Sequence, residues 1–299
     1  MTFLAAHLGF TSSQASGSGT TQALPPAGSH LLITDTLESP GHLASYHLVS
    51  AALQAKRKII WVDFRGEGRA SWETVLKKLG TPLPLSSSLS FVHITPSALD
   101  FPTTTSNSTL SSSLFDGSTP SLRATYDAIS SSLSSSSRPN TNAHMAPAEP
   151  GPLVLLDGLA ELLWIGFSPA AVAQFVRATL ALSRRTNSSL VSTLHADHLP
   201  LISASPSSDP GTPTADLLGR LIRLGGGGWW RISNLSSGRS GDVHGEISSH
   251  PLYPPTPDSF PVVPASHPLQ YRLEASTVKV FRKAPDEASC ELLRSTSKI

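Results

Sequence analysis

Residues 31–42 read Leu31-Leu32-Ile33-Thr34-Asp35-Thr36-Leu37-Glu38-Ser39-Pro40-Gly41-His42. A short apolar run followed by Ser, Pro and Gly reads as a buried strand turning into a helix. In a nucleotide hydrolase that turn is the phosphate loop, G-x-x-x-x-G-K-[ST]. Its glycine amides cradle phosphate, its lysine reaches the β- and γ-phosphates, and its hydroxyl ligates Mg²⁺. Here one glycine, Gly41, remains, His42 stands in the lysine position, and Glu38 is expected to put negative charge where phosphate sits. Ser39, Pro40, Gly41 and His42 therefore read as a degenerate phosphate loop. No catalytic residue, no cofactor and no metal are expected there.

Working outward, a helix over 41–56 carries Leu43, His47, Leu48, Ala51, Ala52 and Ala55 at helical spacing, and Lys56-Arg57-Lys58 closes it with favourable charge. Ile59-Ile60-Trp61-Val62-Asp63-Phe64 is a second buried strand, completing a β-α-β unit whose strands should be parallel. The pattern then predicts a helix over 71–79, a strand over 91–94, a helical island over 122–133 and the strongest strand at Leu153-Val154-Leu155-Leu156-Asp157. Ser168-Pro169 supplies an N-cap and a first-turn proline for a helix over 169–185. A strand over 189–194, a short helix over 215–224 and β-rich segments at 229–234, 243–248, 269–273 and 277–281 follow. The order argues an α/β layered sheet, mostly parallel, with antiparallel strands at its C-terminal edge.

The chain has 299 residues, of which 39% are hydrophobic and only 6% aromatic, because Ser/Pro/Thr tracts dilute the core. About 200–230 residues remain for the folded part, ample for one buried core. The expected division is a flexible lead-in over 1–28, one domain over 29–285 with insertions near 102–150, 203–214 and 249–266, and a tail over 286–299. With 14% charged residues and a net charge of +1, the chain is no strongly basic nucleic-acid binder. Cys290 is the sole cysteine, so no disulfide framework or cysteine-based zinc site forms within one chain. The first residues lack a basic n-region and their apolar run breaks at His7, so no secretory signal is read. No segment approaches the roughly 18 apolar residues of a membrane span, and a soluble intracellular protein is expected.

Val154-Leu155-Leu156-Asp157 has the shape of a Walker B strand ending in a metal-holding acid, although an aspartate at a strand end also caps loops. Asp157 without a lysine and hydroxyl partner assembles no metal-nucleotide site. Thr193-Leu194-His195-Ala196-Asp197-His198 contains H-x-D-H, part of a two-metal hydrolase run, but Thr193 replaces its first histidine. A metal-dependent hydrolase on His195 and His198 and a divergent ATPase are the enzyme alternatives. Gly225–Gly228 reads as a connector, and Trp229 and Trp230 should face opposite sides of a strand. Arg65 and Arg69 flank a turn at the carboxyl edge, where α/β sheets collect ligands.

Taken together, LLITDTLESPGH, HLASYHLVSAALQAKRK, IIWVDFRGEGRASWETVLKKLG, PLVLLDGLAELLWIGFS, SLVSTLHAD, GDVHGEI and LQYRLEASTVKVFRK, in this order, resemble the Elongator complex protein 6 family. The resemblance runs from about Leu31 to Phe281, and the Ser-rich 102–150 and Pro-rich 251–264 depart from it. It implies a RecA-like fold, of the P-loop NTPase type, with damaged Walker motifs. It further implies a hetero-hexameric ring built with two paralogous RecA-like subunits. That ring binds tRNA and attaches to the larger catalytic part of Elongator, which modifies the wobble uridine at position 34. No catalytic residue is carried over. Arg65, Arg69, Arg220, Arg223 and Arg231 are candidates, by charge, for tRNA or subunit contact. The expected location is cytoplasmic and nuclear, with no membrane partner.

Overall fold

Three uninterrupted apolar runs, each ending in aspartate, make the centre of the sheet, because a strand covered by helices on both faces has no polar side to show. They are β1 (His30–Asp35), β2 (Ile59–Asp63) and, later in the chain, Leu153–Asp157, and every residue of all three is buried. The computed structural model describes residues 3–11, 21–85, 88–97, 109–134, 151–197, 212–235, 243–253, 260–275 and 277–282. In chain order the remaining sheet strands are β3 (Phe91–Ser97), β4 (Thr109–Ser113), β5 (Leu153–Asp157), β6 (Ser189–His195), β7 (Gly227–Ser233), β8 (Gly245–Pro251), β9 (Leu269–Leu273) and β10 (Val278–Arg282). They form one ten-stranded sheet in the order β10-β9-β8-β7-β1-β6-β5-β2-β3-β4. From β7 to β4 all neighbours are parallel, and β7 to β10 pair antiparallel. This is the expected α/β architecture, a mostly parallel sheet with an antiparallel C-terminal edge, with the first strand and the acid-ended β5 on either side of β6.

Helices α1 (His42–Gln54) and α2 (Gly68–Lys78) cover one face, and α3 (Arg123–Ser134), α4 (Leu159–Trp164), α5 (Pro169–Arg185) and α6 (Pro213–Ile222) the other. Alternation along each strand sends Leu31 and Ile33 to the first face and Leu32 to the second. Ser168 caps α5 by accepting from Ala171 N at 3.2 Å, with Pro169 in the first turn. Thr212 and Pro213 start α6 in the same way. Among the described residues no helix is long and apolar enough to cross a membrane.

Several local expectations are corrected. The segment before residue 28 is not a detached lead-in where described: Leu4, Leu8 and Phe10 are 0–1% exposed, and Phe10 stacks on Trp230 at 5.7 Å. Four apolar side chains, with Leu24, complete the core that α1 and α2 leave open beside β7. Within 102–150 lies a strand as well as a helix, since β4 pairs with β3 in parallel. Its sequence, Thr-Leu-Ser-Ser-Ser, carries too little apolar pattern to announce an edge strand. Gly227 and Gly228 open β7 and are not a connector. A Cβ on Gly227 would stand 1.6 Å from His30 O and one on Gly228 2.3 Å from Phe260 Cδ1, so only glycine lets these elements touch. Trp230 is fully buried, while Trp229 faces the opposite side and donates Nε1–H to Thr34 Oγ1 at 2.8 Å. Arg57 caps no helix dipole. It is buried and donates to Gly151 O at 2.5 Å and Ser189 Oγ at 2.9 Å.

Candidate functional site

The ends of β1, β2, β5 and β6 meet at the carboxyl edge of the sheet, where open α/β sheets place their ligands. After β1 the chain folds back at once: Ser39 N donates to Thr36 O at 3.1 Å, and the two residues form an isolated bridge. Ser39 is buried, its hydroxyl donating to Asn234 Oδ1 at 2.5 Å and His244 O at 3.1 Å. Gly41 N donates to Asp35 Oδ2 at 2.7 Å, so an amide that would cradle phosphate already holds the chain's own carboxylate. A Cβ on Gly41 would lie 3.0 Å from Asp35 Cβ, a tight approach that glycine avoids. The negative charge at this helix start therefore comes from Asp35. Glu38, expected there, is exposed and accepts instead from Asn234 Nδ2.

Across from Asp35, the turn after β2 carries Arg65 into the gap between β1 and β5. Asp63 builds that turn by accepting from the amides of Gly66 at 2.8 Å, Gly68 at 2.9 Å and Glu67 at 3.3 Å. Gly66 and Gly68 have φ of 71° and 75°, a conformation that disfavours any side chain. So held, Arg65 Nη2 lies 3.4 Å from Asp35 Oδ2 and Arg65 Nε 3.3 Å from Asp157 Oδ1, with the guanidinium side chain only 14% exposed. The Asp157 contact is an ion pair without hydrogen-bond alignment, leaving Arg65 Nε and Asp157 Oδ2 buried and unpartnered. Gly158, at φ 88°, makes room: a Cβ there would sit 2.4 Å from Arg65 Cγ. Thr193 Oγ1 donates to Asp157 Oδ1 and accepts from Gly158 N, both at 2.8 Å, so Asp157 also organises the turn after β5.

His42 completes the cluster. Its Nε2 is 2.5 Å from Glu67 Oε1 and 3.3 Å from Arg65 Nη1, while Glu67 Oε2 accepts from Trp72 Nε1 at 3.1 Å. The Glu67 hydrogen bond raises His42 above the ordinary imidazole range, although burial opposes it, and the same bond lowers Glu67. Burial alone would raise Asp35, but the His195 hydrogen bond, the Arg65 charge and the Gly41 amide outweigh it and hold that carboxyl low. At Asp157 burial wins over Arg65 and Thr193, and its carboxyl is raised. The two acids thus flank one guanidinium with opposite shifts: burial outweighs the charges of Arg65 and His42 at Asp157, whereas at Asp35 the His195 and Gly41 hydrogen bonds and the Arg65 charge outweigh burial.

That second partner is His195, whose Nδ1 is 3.0 Å from Asp35 Oδ1 and whose Nε2 is 2.6 Å from Asp197 Oδ2. With both ring nitrogens committed to carboxylates, His195 has no lone pair directed at a metal; His198 lies outside the described residues. Among the described residues no group of three or more His, Cys, Asp and Glu side chains has a metal-holding arrangement.

Sequence reasoning flagged Arg65, His42 and Asp157 separately, and the fold brings all three into one cluster. Asp35, Glu67 and His195's pairing were missed. The run R-G-E-G at the end of an apolar strand was the available signal. Arg65 and Arg69 were taken as contacts for a partner, but both turn inward. Arg69 donates to Pro84 O and lies over the Phe91 ring, 5.1 Å from its centroid. Arg220 pairs with Asp216 at 2.9 Å on the exposed side of α6, Arg223 is exposed just beyond it, and Arg231 is half-buried on β7. These three are not part of the cluster.

The sequence profile of the family described as Elongation complex protein 6 matches residues 16–251. The chain belongs to that family. The match spans every strand and helix that builds the cluster, from β1 to the start of the antiparallel edge. A search of curated proteins found no match. Membership makes the chain an accessory subunit of Elongator, a complex involved in tRNA modification.

Proposed function

We propose that this chain is a non-catalytic subunit of a hetero-hexameric RecA-like ring, formed with two paralogous subunits, that handles tRNA for Elongator's modification of wobble uridine 34. The observation that carries the non-catalytic reading is Arg65. A nucleotide site needs a cation-binding acid, a lysine and free amides around an open gap. Here the gap between Asp35 and Asp157 holds a guanidinium from the same chain, and Gly41 N is spent on Asp35. Asp157 is thereby a fold-organising acid, and no triphosphate fits without expelling Arg65.

The ring reading is supported by the same edge of the sheet. Leu37 in the turn after β1, Trp164 at the end of α4 and Ile165 just beyond it are 76%, 68% and 41% exposed. Large exposed apolar side chains near the strand ends suit a protein partner. For tRNA, the arginines outside the cluster, Arg220, Arg223 and Arg231, remain the candidates, and a net charge of +1 makes contact by the isolated chain weak and salt-sensitive.

The test is purification of the tagged chain from its native cell, with Mg-ATP calorimetry on the isolated protein beside it. Recovery with two RecA-like partners in near-equal amounts, and no heat on adding Mg-ATP, is the expected result. Recovery alone, or a saturable ATP isotherm lost in Asp157→Asn, overturns the reading.

A further inference from the structure

The end of β6 and the end of β1 are joined by backbone, Ala196 N donating to Asp35 O at 2.9 Å, and beside that bond an imidazole bridges two carboxylates. His195 places Nδ1 3.0 Å from Asp35 Oδ1 and Nε2 2.6 Å from Asp197 Oδ2, and Asp197 Oδ1 accepts from Leu37 N at 3.0 Å. Ionised carboxylates only accept, and a neutral imidazole has one N–H. Neutral His195 therefore satisfies one of these contacts and points a lone pair at the other oxygen. With both acids ionised, only the imidazolium makes both contacts.

We infer that His195 is a proton-operated latch: protonated, it pins the turn that carries Leu37 to the end of β6, and on losing its proton it lets that turn go. The groups facing it are Asp35 at the end of β1, Asp197 on its own segment, and Glu161 of α4, whose carboxyl feels the His195 charge; Arg65 stands beyond Asp35. The hydrogen bonds to Asp35 and Asp197 raise His195 against the opposing effect of burial. For a folded value above the unfolded one, the stabilisation is complete below pH 6.5 and is lost as pH rises through the raised value. The latch is thus closed in mildly acidic solution and opens on the alkaline side. When the ring is neutral Asp35 stays compensated by Arg65 and Gly41, whereas Asp197 loses the charge that orients it toward Leu37 N, so the loosening is confined to the turn. Because Leu37 is the most exposed apolar residue of the three at this edge, the proton decides whether that surface is held rigid.

Hydrogen exchange of the Leu37 amide in the full chain, corrected for intrinsic rate and followed from pH 6 to pH 9, tests this. In the natural protein, protection falls several-fold across the range. In Asp197→Asn the carboxamide donates to a neutral ring and still accepts from Leu37 N, so protection stays flat to high pH. A flat profile in the natural protein overturns the latch, and so does an identical fall in Asp197→Asn.

Discussion

Arg65 Nε stands 3.3 Å from Asp157 Oδ1, an arginine of the turn after β2 meeting the acid that ends β5. In an open α/β sheet this gap is where a bound ligand is balanced by the protein. Here the balance is internal, and Asp35 and His195 extend it along the strand ends.

Removing the cation should be costly. Arg65→Ala leaves a fully buried carboxylate facing an empty space, and loss of about 3–5 kcal/mol is expected, as for other broken buried pairs. Asp157→Asn in the same chain should recover much of that loss, because the uncompensated charge is gone. Urea unfolding of the two single variants and the double variant measures the coupling.

Acid should weaken the fold first through its buried histidines. Burial lowers His30 and His47 to about 3, so between pH 6.5 and 3 the unfolded chain binds protons that the folded chain refuses. Their effect is absent above pH 6.5 and grows as pH falls, at up to about 1.4 kcal/mol per pH unit for each histidine. Below the ordinary carboxylate range Asp35, Asp63 and Glu67, all lowered, add their own loss as they take up protons. Unfolding free energies should slope downward from pH 6.5 to pH 4, with a shallower slope in His30→Gln.

The N-terminal segment should behave as core. Phe10→Ala removes a ring that is 1% exposed and packed on both Trp230 and Phe260, and about 3–5 kcal/mol of destabilisation is expected by thermal or urea unfolding. A change within about 0.5 kcal/mol would mean that the segment does not hold the fold.

Trp164→Ser should separate assembly from stability. The side chain is 68% exposed, so unfolding of the isolated chain should shift by no more than about 0.5 kcal/mol. Co-purification with Elongator partners should fall, on the order of thirtyfold if Trp164 anchors a contact worth about 2 kcal/mol.

Much of the architecture was legible because burial on two faces leaves a one-dimensional trace. LLITD, IIWVD and LVLLD have no polar alternation, and Ser168-Pro169 marks a helix start by local hydrogen bonding that needs no distant residue. The failures have the opposite character. Strand β4 exists because β3 offers it an edge, and its Thr-Leu-Ser-Ser-Ser carries no pattern of its own. Leu4, Leu8 and Phe10 lie in a stretch too short to show periodicity, and they are buried because β7 and α1 leave a gap that fits them.

The sequence by itself determined the central strands, the order of the units and the absence of a phosphate-loop lysine, since these depend on residue type and neighbours along the chain. Only the tertiary structure decided what occupies the place of the lost site. Arg65 finds Asp35 across 30 residues of chain, and no local rule distinguishes an arginine that reaches outward from one that turns in to meet buried acids. That choice follows from where β1, β2, β5 and β6 end relative to one another, because a buried carboxylate must find a partner wherever the sheet brings one.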